Sequence, residues 1–150
     1  MSKILILIAP PGAGKTTWAK HYVGTHPNTK YLSSDDIRIE LFGSDRIQKD
    51  HWKVFGLMEE RAKKYLIAGY DVVYDATNIN RRNRHSIISA VYEIDDLKIV
   101  AVDIHIPMEK CIEQDKNRSR TVGEDVIRRY YQNYQPPSYA EGFDEIISVI

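Results

Sequence analysis

The chain has 150 residues, 28% of them charged and 43% hydrophobic, with 21 Lys+Arg against 21 Asp+Glu. That length suits a single domain over 1–150 with a real core, and a zero net charge argues against coating long nucleic acid or membrane while still allowing a local basic channel. No apolar run is long enough for a bilayer span, the N-terminus lacks the charged–apolar–small order of an export signal, and the single Cys111 precludes an intramolecular disulfide, so a reducing, cytoplasmic setting is expected.

The first element is a strand over Lys3–Ile8, followed by a turn over Ala9–Gly14 and a helix from about Lys15. The turn closes on Gly14-Lys15-Thr16, the phosphate-binding loop pattern in its required strand–turn–helix context. Backbone N–H groups converge at a helix N-terminus, where the helix dipole favours an anion. Pro11, Gly12, Ala13, Gly14, Lys15, Thr16 and Thr17 are therefore the candidate nucleotide-binding residues. Lys15 reaches the terminal phosphates and the Thr16 hydroxyl takes a magnesium ion, so ATP and Mg2+ are the expected ligands. Ala9 stands where the full pattern opens with glycine, which is tolerable if its φ is negative.

A second strand is predicted over Lys30–Ser33, then a brief helix over Asp36–Leu41 closed by Gly43. Ser44 or Asp45 caps a long helical pattern ending at Gly69, with Ile47, Val54, Leu57 or Met58, Ala62, Tyr65 and Leu66 on one apolar face. Gly56, inside that pattern, suggests a close backbone approach. Asp71–Tyr74 reads as a central strand running into Asp75. A helix over 80–94, a strand over 97–106 stopped by Pro107, a helix breaking down into a basic run, a helix stopped by Pro136 and a last strand from Phe143 complete the chain. This alternation calls for an α/β fold of three layers, a parallel sheet of five strands with helices on both faces. Ligands in such a fold sit beyond the carboxyl ends of the strands.

Those ends present a consistent set. Asp35 leaves the second strand, with Arg38 one turn along; Asp75, Thr77 and Asn78 leave the third; Arg118 and Arg120 follow the fourth by way of a helix. Carboxylates and arginines beside a triphosphate site are the parts of a phosphoryl-transfer centre. Asp35 can orient or deprotonate an acceptor hydroxyl, although Ser33, Ser34, Asp35 and Asp36 are all good helix caps as well. Asp75 can organise magnesium waters, hold Arg38, or fix the following turn. Arg118 and Arg120 lie in a basic segment of the kind that closes over bound nucleotide and excludes water. Arg81, Arg82 and Arg84 either widen a basic approach or keep a helix soluble. The late tyrosines Tyr130, Tyr131, Tyr134 and Tyr139 read mainly as packing, His105 as a satisfied interior residue, and Cys111 as a small buried hydrophobe. The histidines show no metal-ligand spacing.

APPGAGKTTWAK, SSDDIR, DATNIN, KNRSR and VGEDVIRRYY together resemble the kinase domain of the phage polynucleotide 5′-kinases and the wider P-loop end-healing kinase family. The resemblance runs nearly end to end and implies a P-loop kinase fold with an arginine-bearing lid. It implies Asp35 as general base for the acceptor 5′-hydroxyl, and Arg38 as the contact to the phosphate just 3′ of it. It further implies Asp75 as the support for Arg38, and Arg120 as the lid arginine, with Lys15 and Arg118 on the donor phosphates. Ser34 stands where the phage enzyme has an arginine, and no phosphatase domain is expected. The function so implied is transfer of the ATP γ-phosphoryl to the 5′-hydroxyl end of DNA or RNA, in the host cytoplasm if the chain is phage-encoded. The alternatives are a kinase of the same family for a small anionic metabolite, nucleotide or antibiotic, and a nucleotide-gated module without transfer. Nothing points to a membrane or protein partner.

Overall fold

The centre of the molecule is β1 (Ser2–Ile8), a run of aliphatic residues with no polar alternation from Ile4 to Ile8. Such a strand is stable only when covered on both faces. The chain is a computed structural model describing residues 2–118 and 121–149. In it β1 is flanked by β3 (Asp71–Asp75) and β4 (Leu97–Ile104), with β2 (Thr29–Ser33) and β5 (Glu145–Val149) outside them. The order is β2-β3-β1-β4-β5, and every pairing is parallel.

Side-chain alternation divides the core. Ile4, Ile6 and Ile8 face one layer, which contains α3 (His51–Ile67) through Val54, Met58, Ala62 and Leu66. The same layer holds α4 (Arg81–Val91) through Ile87, Ile88 and Val91. Leu5, Leu7 and Ala9 face the opposite layer and meet α1 (Lys15–Thr25) at Ala19, Trp18, Tyr22 and Val23. A third cluster joins α5 (Met108–Lys116) to α6 (Glu124–Asn133) through Cys111, Ile112 and Ile127. Among the described residues no helix is long and apolar enough to cross a membrane.

Several boundaries differ from expectation for local reasons. α2 spans Ser34–Phe42, starting two residues early because the Ser33 hydroxyl accepts from Asp36 N at 3.3 Å and caps it. The long helix starts at His51 rather than near Asp45: Asp50 adopts a left-handed φ of 50°, and residues 44–50 form an irregular approach held by Arg46 N donating to Ser44 Oγ. Ile47 is consequently exposed and takes no part in the core. Gly56 marks no close approach, since a Cβ there would meet nothing within 4 Å. His105 is exposed, stacked on Tyr134, and is not an interior residue.

Candidate active site

Register brings the sequence-distant site residues together. Ser33 pairs with Asp75 across β2 and β3, and β1 lies against β3, so the carboxyl ends of the three strands open onto one place. A cleft of about 1320 Å³ begins there. It exceeds the roughly 300–1,000 Å³ of an ordinary small-molecule site, leaving room for two substrates. Gly12, Gly14, Lys15, Thr16 and Thr17 line one end, and Asp35, Arg38, His51, Trp52 and Arg82 line the other.

At the phosphate-loop end, α1 is preceded by Gly14, whose φ of 86° is left-handed, and no side chain caps the helix. Trp18 N bonds to Gly14 O at 2.9 Å, so Lys15, Thr16 and Thr17 are the first-turn residues whose N–H groups have no intrahelical acceptor. These donors and the dipole make an anion cradle. The loop is backed tightly. A Cβ on Gly12 would stand 3.0 Å from the Cys111 carbonyl and 3.4 Å from Asp115 Cβ, and Gly12 itself has a φ of 84°. Cys111, fully buried, donates its thiol to Pro11 O at 3.0 Å. Ala9 is buried with Leu7 and Ala19 and is not among the residues of positive φ, which meets the condition for alanine in that position. Ala13 packs against the apolar clusters instead of facing the cleft.

Asp75 lies beneath the loop, 3% exposed, with Oδ1 at 3.5 Å from Lys15 Nζ. Its Oδ2 accepts a short hydrogen bond from Tyr31 Oη. Burial, and then the neighbouring Asp75 charge, push the Tyr31 hydroxyl well above its usual range, so it remains a donor. Oδ1 is buried without a hydrogen bond of its own. A buried carboxylate oxygen that pairs with the Lys15 ammonium but accepts no hydrogen bond, close to a phosphate loop, fits a magnesium-bound water. Among the described residues no group of three or more His, Cys, Asp or Glu forms a metal cage, so an ion here would draw its ligands from Thr16, nucleotide and water. Asp75 is therefore partnered by Lys15 and Tyr31, and the Arg38 support expected of it falls to other residues.

Those residues are His51 and Phe55. Arg38 Nη2 lies 3.0 Å from His51 Nδ1, and its guanidinium sits 5.7 Å from the Phe55 ring centroid. Arg38 is 5% exposed, and its Nε is buried without a hydrogen-bond partner. Burial draws its pKa down and the Asp35 charge opposes that. Asp35 is half-buried in the first turn of α2, and capping falls to Ser33. The neighbouring Asp36 is pushed up by burial, then by repulsion from Asp35 and Asp75.

The end of α5 carries an acidic residue that sequence reading overlooked. Asp115, 3% exposed on α5, accepts from Val122 N at 3.1 Å and Gly123 N at 3.0 Å, and Arg118 Nη1 lies 3.9 Å away. An acid inside a basic run was the available signal. Arg118 lines the cleft; Arg120 lies outside the described residues. Of the other arginines, Arg82 lines the cleft, whereas Arg84 is 0% exposed and neither widens an approach nor solubilises a helix. It forms an ion pair with Glu141 at 2.7 Å and donates to Asn78 O and Gln135 O. Asn78 in turn donates to Leu7 O at 2.8 Å, fixing the strand that feeds the phosphate loop. Tyr131 and Tyr134 spend their hydroxyls on Ile106 O and Asp103, in keeping with packing, while Tyr139 is 63% exposed.

Comparison with solved structures finds the same fold in other proteins. A chain of the Pnkp1/Rnl/Hen1 RNA repair complex matches with a TM-score of 0.76 and 22% identity over 88% of this chain and 43% of that one. A fungal RNA kinase matches at 0.68 and 22% over 98% of this chain and 38% of its own. A gluconokinase from Sinorhizobium meliloti 1021 matches at 0.63 and 16% over 98% and 80%. The chain thus spans less than half the length of the RNA repair complex chain and of the fungal RNA kinase. A family model described as an AAA domain matches residues 4–137, most of the sequence, and the chain belongs to that AAA-domain family.

Proposed function

We propose that the chain transfers the γ-phosphoryl group of ATP to the 5′-hydroxyl end of a polynucleotide, DNA or RNA. What carries this reading is the pairing of Asp35 with Arg38 on one short helix, both lining the cleft that starts at the phosphate loop. Asp35 takes the proton from the acceptor hydroxyl as its oxygen bonds to the γ-phosphorus, and the bond to the β–γ bridging oxygen breaks, leaving ADP. Lys15 and the loop N–H groups neutralise charge on the donor phosphates, with Thr16 and Asp75 as the residues suited to hold Mg2+ and its water. A bound ion would add charge neutralisation there. Arg118 and Arg120 belong to the segment that closes over the donor.

Arg38 supplies the acceptor preference. A guanidinium held by His51 and Phe55, with an unmet buried Nε, is a preorganised receptor for a backbone phosphate adjacent to the reacting hydroxyl. Gripping one phosphate at a terminus is compatible with zero net charge. A second reading, a kinase for a small anionic metabolite, has support in the gluconokinase similarity, which extends over 80% of that enzyme, and in Ser34, where the phage enzyme has an arginine.

Labelled transfer from ATP to three acceptors tests the choice. A 5′-hydroxyl oligonucleotide and a nucleoside 3′-monophosphate are expected to be phosphorylated far faster than the free nucleoside. Equal transfer to all three removes the role given to Arg38, and transfer to a sugar acid with none to the oligonucleotide establishes the second reading.

A further inference from the structure

Among the described residues lining the cleft, one strongly exposed aromatic side chain has no role in the chemistry above. Trp52 is 77% exposed, the greatest exposure among the large hydrophobic residues. Ile67, Tyr92 and Tyr139 are also well exposed, yet none of them lines the cleft, and Trp52 does. An indole left in water forgoes a large burial gain, and tryptophan is the residue that contributes most when a partner covers it.

Its neighbours identify the partner. Trp52 follows His51, whose Nδ1 holds Arg38, and precedes by three residues Phe55, over whose ring Arg38 lies. Residues three apart share a helix face, so Trp52 and Phe55 form an aromatic edge that starts at the anion receptor and continues outward. Arg46 and Gln48 line the cleft from the irregular approach to α3, and Arg82 and Asn83 line it from α4. A ligand with its phosphate on Arg38 and a flat, uncharged ring beside that phosphate would meet the indole. Bases stack on aromatic side chains without regard to sequence, and polar side chains around them reach their edges.

We propose that Trp52 is the nucleobase platform of the acceptor site, receiving a base of the nucleotide whose phosphate Arg38 holds. This rests on the polynucleotide reading and deepens it, since a sugar acid offers no ring to stack. Trp52 makes the site selective for base-bearing acceptors and tolerant of which base they carry.

The chain has two tryptophans, and Trp18 packs on Tyr22 with ring centroids 5.4 Å apart, so Trp18→Phe leaves Trp52 as the sole indole reporter. A 5′-hydroxyl oligonucleotide should quench that emission saturably, and the same oligonucleotide with its first two nucleotides abasic should bind about tenfold more weakly with little quenching. Trp52→Ala should raise KM for the intact oligonucleotide about tenfold and for the abasic one less than twofold, and Trp52→Phe should restore most of the difference. Oligonucleotide transfer with the same KM in Trp52→Ala as in the unsubstituted chain, or equal quenching by both ligands, overturns the platform and leaves the proposed function standing. Absence of transfer to any 5′-hydroxyl oligonucleotide by the unsubstituted chain overturns the proposed function and the platform with it.

Discussion

At the scale of single residues the site divides into groups that do chemistry and groups that hold them. On the proposed function, Asp35 belongs to the first kind. Asp35→Asn keeps the shape of the side chain but removes the basic oxygen, so it should lower kcat by about 10²–10⁴-fold. Nucleotide affinity, set by the phosphate loop, should stay near that of the unsubstituted chain, as isothermal titration with ATP would reveal. Loss of both together would mean that Asp35 shapes the donor site. Arg38 is the test of acceptor recognition. Arg38→Lys retains charge but loses the planar fork that meets both His51 and the Phe55 face. Its KM for a nucleoside 3′-monophosphate should rise about tenfold or more, because a charged hydrogen bond contributes about 1.5–3 kcal/mol, whereas the poor transfer to free nucleoside should change little. The positions of Lys15 and Thr16 at the start of α1, lining the cleft, were legible in the sequence because they are set by immediate neighbours. The His51 and Phe55 contacts to Arg38 were hidden, since they depend on how two helices cross.

Elements were legible in proportion to how local their causes are. β1, its turn and α1 follow from a hydrophobic run, two left-handed glycines and a helix start, all within twenty-odd residues. The start of α3 was misread because Ser44 and Asp45 are good cap residues by type, whereas the helix begins after Asp50, which is left-handed and makes no side-chain cap bond. The two kinds of glycine make a paired prediction. Gly56 sits exposed in the interior of α3, with no positive φ and open space where a Cβ would go. Gly56→Ala should therefore stabilise the protein by about 0.5–1 kcal/mol, seen as a higher melting temperature with unchanged turnover. Gly12→Ala is the opposite case: its backbone is left-handed and its Cβ would press at 3.0 Å on a main-chain carbonyl of α5. That substitution should reshape the cradle, abolishing measurable ATP binding. If Gly12→Ala bound ATP normally, the close backing of the loop by α5 would have no functional weight.

On the scale of the whole molecule, the buried ion pair between Arg84 and Glu141 connects parts of the chain that the sheet does not join. Arg84 falls at helical spacing with the buried Ile87, Ile88 and Val91, but in the sequence its charge groups it with Arg81 and Arg82 as solvent-facing. Its partner was unreadable, because Glu141 arrives from a 3-10 turn over Tyr139–Glu141, far along the chain. Through Asn78 the same cluster reaches Leu7, at the root of the phosphate loop. Removing one partner leaves a buried charge uncompensated, so Arg84→Met should cost about 3–5 kcal/mol. The pH dependence tests the pair more gently. Burial alone would raise the Glu141 pKa, but the hydrogen bonds from Arg84 and Ser138 more than offset it and hold it below the ordinary 4.5. Between the folded and unfolded values the unfolded chain binds more protons, so the contribution is complete above about 4.5 and is lost as pH falls through the folded value. Glu141→Gln should accordingly be less stable than the unsubstituted chain at pH 7. The gap in denaturation free energy should narrow steadily below pH 4.5, because a protonated Glu141 offers Arg84 little more than glutamine does. A gap that held constant down to pH 3 would assign the loss to shape rather than to the carboxylate, and would remove the electrostatic link between this cluster and the strand that carries the phosphate loop.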